Sequence, residues 1–147
     1  MGTLNAGDLV EVDLSGERKD AAMEPSRESR THAAIYRARP DVRSVFHAHA
    51  PWTIVCASKW NEIPTRTLHA KSKLGSIPVL RVESESGDLF VSAVDRLLAA
   101  SPRIKGFVQG WHGLFSLGET IPAALYGAEL IEETAKIAVL SLLLEGR

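Results

Sequence analysis

Two histidines two residues apart, His47 and His49 in the run SVFHAHAP, are where the spacing in this 147-residue chain first suggests chemistry. The run reads as a β-strand, and side chains at i and i+2 of a strand point to the same face, so the two imidazoles converge on one point. A pair of hydrogen-bonded polar residues on a half-exposed strand would show the same spacing. His112 lies in QGWHGLFSLG, bracketed by Gly110 and Gly113 at a strand-to-strand corner. Glycines there let the backbone bring the histidine close to another element, which makes it a natural third ligand. Three neutral imidazoles suit zinc or a similar borderline metal ion and leave one coordination position open for substrate, as catalytic sites do.

Glu28 follows Ser26 and Arg27 at the start of an expected helix, and the hydrogen-bond donors of a helix N-terminus attract anions. A carboxylate there can serve as a fourth ligand at rest and as a proton carrier once substrate displaces it. It can equally be an acidic residue that only complements the helix dipole. His32, four residues on, shares a helix face with Glu28 and forms a rival ligand pair, although its neighbours Ala33, Ile35 and Tyr36 point to a helix packed on a sheet. The single cysteine, Cys56 in TIVCASKW, reads as a small buried helical residue rather than a nucleophile.

The elements that must position these residues alternate between strand and helix, which gives an α/β class. Leu9 to Asp13 alternates apolar and charged residues and reads as a short strand closed by a turn at Gly16. Ser26 is the expected N-cap of a helix that Pro40 stops. Val42 to His49 is a strand, Pro51 to Lys59 a helix, Asn61 to Ser76 an irregular loop, and Ile77 to Val82 a strand. Asp88 to Ala100 is an amphipathic helix with Leu89, Phe90, Val94, Leu97 and Leu98 facing a core. Short strands at Ile104 to Gln109 and Leu114 to Leu117 flank the Gly-rich corner. A long helix from about Pro122 to Leu144 closes the chain, with Pro122 in its first turn.

The length fits one domain over residues 1–147. With 45% hydrophobic and 24% charged residues the composition is that of a globular protein, and a net charge of −1 without a basic run gives no nucleic-acid footprint. No stretch nears the roughly 18 apolar residues of a membrane span. A lone cysteine and the absence of a leader pattern lead us to expect a cytoplasmic protein.

Taken together, PSRESRTHAAIYRARPDVRSVFHAHAP, GSIPV and WHGLFSLGETIPAALYGAELIEETA resemble the class II aldolase and adducin family over about residues 7 to 145. The resemblance rests on Ser-x-Glu ahead of a helix ending in Ile-Tyr, His-x-His after Asp-Val, and a late His-Gly followed by a long helix. It implies a three-layer α/β/α fold with a central, mainly antiparallel sheet. It also implies a four-fold homotetramer with active sites between subunits, and one divalent ion per subunit, usually zinc and sometimes manganese or another ion. Carried over, the metal ligands fall on His47, His49 and His112, and the catalytic acid or base falls on Glu28.

The implied activity is that of a carbon–carbon lyase of carbohydrate metabolism, which cleaves a small hydroxycarbonyl or sugar-phosphate substrate through a metal-stabilised enediolate. Decarboxylation of a small hydroxy or keto acid uses the same carbanion and is an alternative, as are a sugar-phosphate 4-epimerase and a non-catalytic adducin-like interaction module.

Departures from the pattern matter for substrate. The family's Gly-Asn phosphate loop precedes the part matched here, and its Ser-Ser-Glu stands as Ser26-Arg27-Glu28, so a fixed positive charge replaces one hydroxyl. Ser26 and Arg27 are therefore the candidate substrate-binding residues, Arg27 through bidentate pairing with a carboxylate or phosphate. Lys71 occupies the position of the epimerases' catalytic aspartate, which points away from epimerisation. Leu68 or His69 stands nearest the aldolases' proton-donating tyrosine, and His69, able to transfer protons near neutral pH, is the candidate catalytic residue there.

Overall fold

The computed structural model describes residues 5–19, 23–82 and 87–145. Four strands form one sheet in the order β1 (Ser44–Ala48), β4 (Gly113–Gly118), β3 (Gly106–Gln109), β2 (Val79–Leu80). The pairs β1/β4 and β4/β3 are antiparallel, and β2/β3 is parallel. Neighbouring residues of the central strands point to opposite faces, and both faces are covered. Phe107, Phe115 and Leu117 meet α1 (Ser29–Ala38) and α4 (Asp88–Ala100) through Ile35, Phe90, Val94 and Leu98. Val108 and Leu114 meet α2 (Pro51–Lys59), α3 (Leu68–Lys73) and α5 (Ile121–Glu145) through Cys56, Ala70 and Ile131. The result is the expected three-layer arrangement around a mainly antiparallel sheet.

Both α2 and α4 begin and end where the sequence places them, and α5 starts one residue before Pro122, which sits in its first turn. Other elements differ for local reasons. The segment from Leu9 to Asp13 is not a sheet strand: after a 3-10 turn at Ala6–Asp8, Val12 makes a single bridge to Arg18. The alternation there is answered by the other arm of its own turn, which Asp13 ties by accepting from the Ser15 backbone N–H at 2.7 Å and which passes through Gly16 at φ +87°. The Ile77 to Val82 strand contracts to two residues.

The first helix starts at Ser29, not at Ser26, with Glu28 in the cap position. The loop from Asn61 to Ser76 contains α3, whose N-cap Thr67 accepts from the Ala70 N–H at 3.1 Å. On α4, Leu89 is exposed, leaving Phe90, Val94 and Leu98 as the fully buried positions. Cys56 is fully buried on α2, and burial pushes its thiol up to about 11, which suits a packing residue.

One long-range contact fixes the end of β1. The residue before α2, Ala50, offers no side-chain cap, and the carboxylate of Glu132 on α5 takes that role from the other end of the chain. It accepts from the Trp52 and Thr53 backbone N–H groups at 2.9 and 2.8 Å and from Thr53 Oγ1 at 2.6 Å. An anion on the positive end of a helix dipole, with three donors aimed at it, is a strong cap. Because α2 follows directly on His49 and Ala50, this cap also holds the end of β1. Glu132→Ala is expected to lower stability by about 2–3 kcal/mol in chemical denaturation, with Glu132→Gln falling between it and the parent protein.

Candidate metal centre and catalytic cleft

Within the sheet, His47 lies opposite Phe115 in the β1/β4 register and stacks on it, ring centroids 4.3 Å apart. Phe115 stacks in turn on Phe107 at 5.0 Å, so one side of the imidazole is a continuation of the aromatic core. Its Nδ1–H donates to the Leu114 carbonyl at 2.9 Å. A carbonyl can only accept, so this bond sets the neutral tautomer and leaves Nε2 with a bare lone pair. That Nε2 is buried and has no hydrogen-bond partner among the described residues. A buried acceptor with nothing to accept is costly unless a ligand satisfies it.

The other two histidines supply the context for that atom. His49 follows β1 directly, its side chain on the His47 side, and its ring centroid lies 5.1 Å from that of His47. His112 arrives at the start of β4, and its Nε2 is 3.0 Å from His49 Nε2. Two imidazole nitrogens sharing a tetrahedral ion at 2.0–2.1 Å each would lie about 3.3 Å apart. The observed separation needs only a small adjustment to match. One ligand atom from each of His47, His49 and His112 falls within 4.8 Å of the others, so the three are positioned to hold a metal ion.

Glycine makes the convergence possible. A Cβ on Gly113 would lie 2.3 Å from the Ala48 carbonyl oxygen, so any side chain there would force β4 away from the end of β1. Glu28 completes the group, its Oε1 3.8 Å from His112 Nε2 and its side chain 11% exposed. It is aimed by a local turn in which Ser26 Oγ accepts from the Glu28 N–H at 3.3 Å and the Ser26 carbonyl accepts from the Ser29 N–H at 3.0 Å. Ser26 thus shapes the entry to α1 two residues ahead of the cap position it was expected to fill.

These residues line a cleft of about 700 Å³, which Ser26 and Arg27 share with Glu28 and the three histidines. His32 lies outside the group of His47, His49 and His112; it is half-buried on α1, edge-on to Phe115 at 6.0 Å. His69 lies on α3, exposed, with Nε2 2.5 Å from the Tyr126 hydroxyl on α5, outside this cleft. Lys71 is exposed on the same short helix.

Three cleft residues were not among those expected from sequence: Ala48 on β1, Ile54 on α2 and Trp111 beside His112. The turn Gln109–His112, closed by the His112 N–H on the Gln109 carbonyl at 3.2 Å, puts Trp111 at φ +62°. This third turn position normally takes glycine or asparagine, and the conformation costs another residue about 1–2 kcal/mol. A bulky aromatic between Gly110 and His112 was the available signal.

The family whose model matches this chain is the Class II Aldolase and Adducin N-terminal domain, over residues 1–139. The chain belongs to this family. Among solved class II aldolase-like structures it is similar to L-fuculose-1-phosphate aldolase from Thermus thermophilus, at 26% identity and a TM-score of 0.80, covering 97% of this chain and 73% of that one. It is also similar to YgbL from Klebsiella pneumoniae, whose description leaves aldolase, epimerase and decarboxylase open. There the identity is 26% and the TM-score 0.82, covering 92% of this chain and 66% of that one. An aldolase II superfamily protein from Pseudomonas syringae matches at 25% identity and a TM-score of 0.76, covering 93% of this chain and 55% of that one. The chain thus spans between about half and three-quarters of the length of these class II aldolase relatives.

Burial holds His47 down to about 4, with the neighbouring imidazoles adding to the effect. It is therefore neutral and ready to ligate at neutral pH. In metal-free protein this makes stability depend on acid: the unfolded imidazole takes up its proton near the model value of 6.5 and the folded one only near 4. The contribution is complete above 6.5 and is lost progressively as pH falls toward 4. Burial lowers His32 as well, so it acts in the same direction. Urea denaturation of metal-free protein at several pH values should show this decline, and His47→Gln should reduce it, leaving the smaller part due to His32. Gly113→Ala, which must part β4 from the end of β1, is expected to weaken zinc affinity at least tenfold by calorimetric titration.

Proposed function

We propose that this protein is a metal-dependent carbon–carbon lyase of the aldolase type, acting on a small hydroxycarbonyl or sugar-phosphate substrate. The observation that carries the reading is the buried, unpartnered Nε2 of His47 facing His49 and His112, with the Glu28 carboxylate 3.8 Å from His112 Nε2. His47, His49 and His112 would hold the ion, and three imidazoles favour zinc, with manganese or another divalent ion as substitutes. A divalent ion there supplies positive charge against the negative charge that develops on substrate oxygens when a carbon–carbon bond breaks, worth several kcal/mol where water is excluded.

The chain's own groups do the rest. Leu114 fixes the His47 tautomer, so the imidazole enters the site already oriented. Glu28, largely withdrawn from solvent, moves a proton to or from the substrate carbon next to the oxygen-bearing carbon. Ser26 holds Glu28 in place by accepting the Glu28 backbone N–H at its Oγ, and Arg27 at the cleft wall pairs with the anionic end of the substrate. His69 lies outside its own chain's cleft, so its proposed role in proton transfer requires presentation to a neighbouring copy. The reading accordingly takes residues 1–147 as one domain that works as a cytoplasmic homotetramer. Among the described residues no helix is long and apolar enough to cross a membrane.

Purified protein should carry about one divalent ion per chain, and His47→Ala should lose it. Glu28→Gln should keep the ion while turnover falls by roughly 10²–10⁴-fold, the usual contribution of a positioned acid or base. A screen of sugar phosphates against hydroxy and keto acids, assayed for aldehyde and for carbon dioxide, identifies the cleaved bond. Carbon dioxide without aldehyde would replace the aldolase reading by decarboxylation. Absence of bound metal, together with a His47→Ala variant unchanged in stability, would end it altogether.

A further inference from the structure

We infer that Trp111 is a specificity-determining residue of this cleft: with Ile54 it forms an apolar wall beside the metal ligands that selects substrates carrying an alkyl or aryl substituent next to their two-oxygen head. The inference rests on the metal-centre reading above and names the kind of substrate that site takes.

Three observations support it. First, the turn that delivers His112 is built at a cost. Its strained position, φ +62°, holds tryptophan, while the one glycine among its two central residues sits a position earlier, where φ is not positive. A turn shaped only to place His112 would be met without strain by glycine or asparagine. Strained backbone that persists in a binding cleft is strain held for a purpose. Second, the ring is supported rather than loose. The Arg81 guanidinium lies 5.3 Å from the ring centroid, and Arg81 is itself anchored by Nε–H to Asn61 Oδ1 at 3.0 Å and by its Nη2 to the Trp60 carbonyl at 3.1 Å. Arg81 does not line the cleft, so it backs the ring while Trp111 faces the cavity.

Third, the cleft is asymmetric in chemistry. Ser26, Arg27 and Glu28 bring polar groups from the α1 entry, whereas the large apolar side chains among the described residues come from α2 and the β3–β4 turn, as Ile54 and Trp111. Trp111 remains 57% exposed although it is the largest side chain there. A tryptophan face next to an aliphatic side chain binds apolar or aromatic surface with an advantage it does not give to a hydrated polyol end. A substrate oriented by its two oxygens at the histidines would lay its substituent along this wall.

The probes are acetohydroxamate and benzohydroxamate, which present the same pair of chelating oxygens and differ in the substituent. They are titrated calorimetrically into zinc-loaded full-length protein. The parent protein should bind benzohydroxamate roughly 5- to 10-fold more tightly. Trp111→Asn, which suits the left-handed turn position, should keep its zinc and reduce the preference to within about twofold, and Trp111→Phe should keep most of it. Equal binding of the two hydroxamates by the parent protein overturns the inference without touching the metal centre, as does an undiminished preference in Trp111→Asn. A change of mass in solution on Trp111→Asn with the preference intact would likewise overturn it and assign the ring to a contact between copies. If the parent protein takes up no zinc, the metal-centre reading itself fails, whereas zinc-loaded protein that binds neither hydroxamate overturns the inference alone.

Discussion

The antiparallel pairing of β1 with β4 is the constraint on which the site depends. Its register sets His47 opposite Phe115 and brings the Leu114 carbonyl to the His47 imidazole. It also carries the start of β4 so close to Ala48 that only glycine fits at position 113. A slip of one residue would turn His47 to the other face of the sheet and put Phe115 out of its stack. Side-chain alternation puts His47 and His49 on one side of β1, and the strand's end lets His112 reach them from the adjoining turn. The metal group is thus a property of one strand pair and its corner.

The surrounding packing keeps that geometry in one state. Phe115 lies between His47 and Phe107, so the His47 imidazole is part of the aromatic core rather than a group hung on a surface. Such burial both orients the ring and keeps it neutral, which is the protonation state a metal ion requires. On the other face, the Glu132 carboxylate of α5 caps α2 and anchors the segment that follows His49. Glu28 comes from α1 on the His47 side of the sheet. The three histidines and Glu28 are therefore held by different layers, and their mutual placement reports the assembly of all three.

The polar and apolar parts of the cleft answer different questions. Under the proposed function, the histidines and Glu28 form a centre that manages negative charge and a proton, which is common ground for aldol cleavage and decarboxylation. Under the same proposal, discrimination between those reactions falls to the other residues that line the cleft: Ser26 and Arg27 at the α1 entry, and Ile54 and Trp111 from α2 and the β3–β4 turn.

Local sequence signals were sufficient where one segment settles its own structure. Period-2 spacing placed His47 and His49 on one side. Pro51 and the amphipathic run from Asp88 set the bounds of α2 and α4, and glycines on both sides of His112 marked a close approach. They misled where a partner was needed. The alternating residues from Leu9 found no sheet neighbour, so that segment is a turn arm, and Ser26 bonds the backbone of Glu28 instead of capping the helix. Other features lay beyond sequence altogether. Glu132 caps a helix nearly 80 positions earlier, Trp111 takes a glycine-like conformation, and His69 turns to Tyr126 rather than to the cleft. The sequence by itself determined which residues are chemically able to form the site. Tertiary structure alone decided which of them meet, because a cluster of side chains spread from residue 28 to residue 112 exists only through the strand register and long-range contacts that fold those segments together.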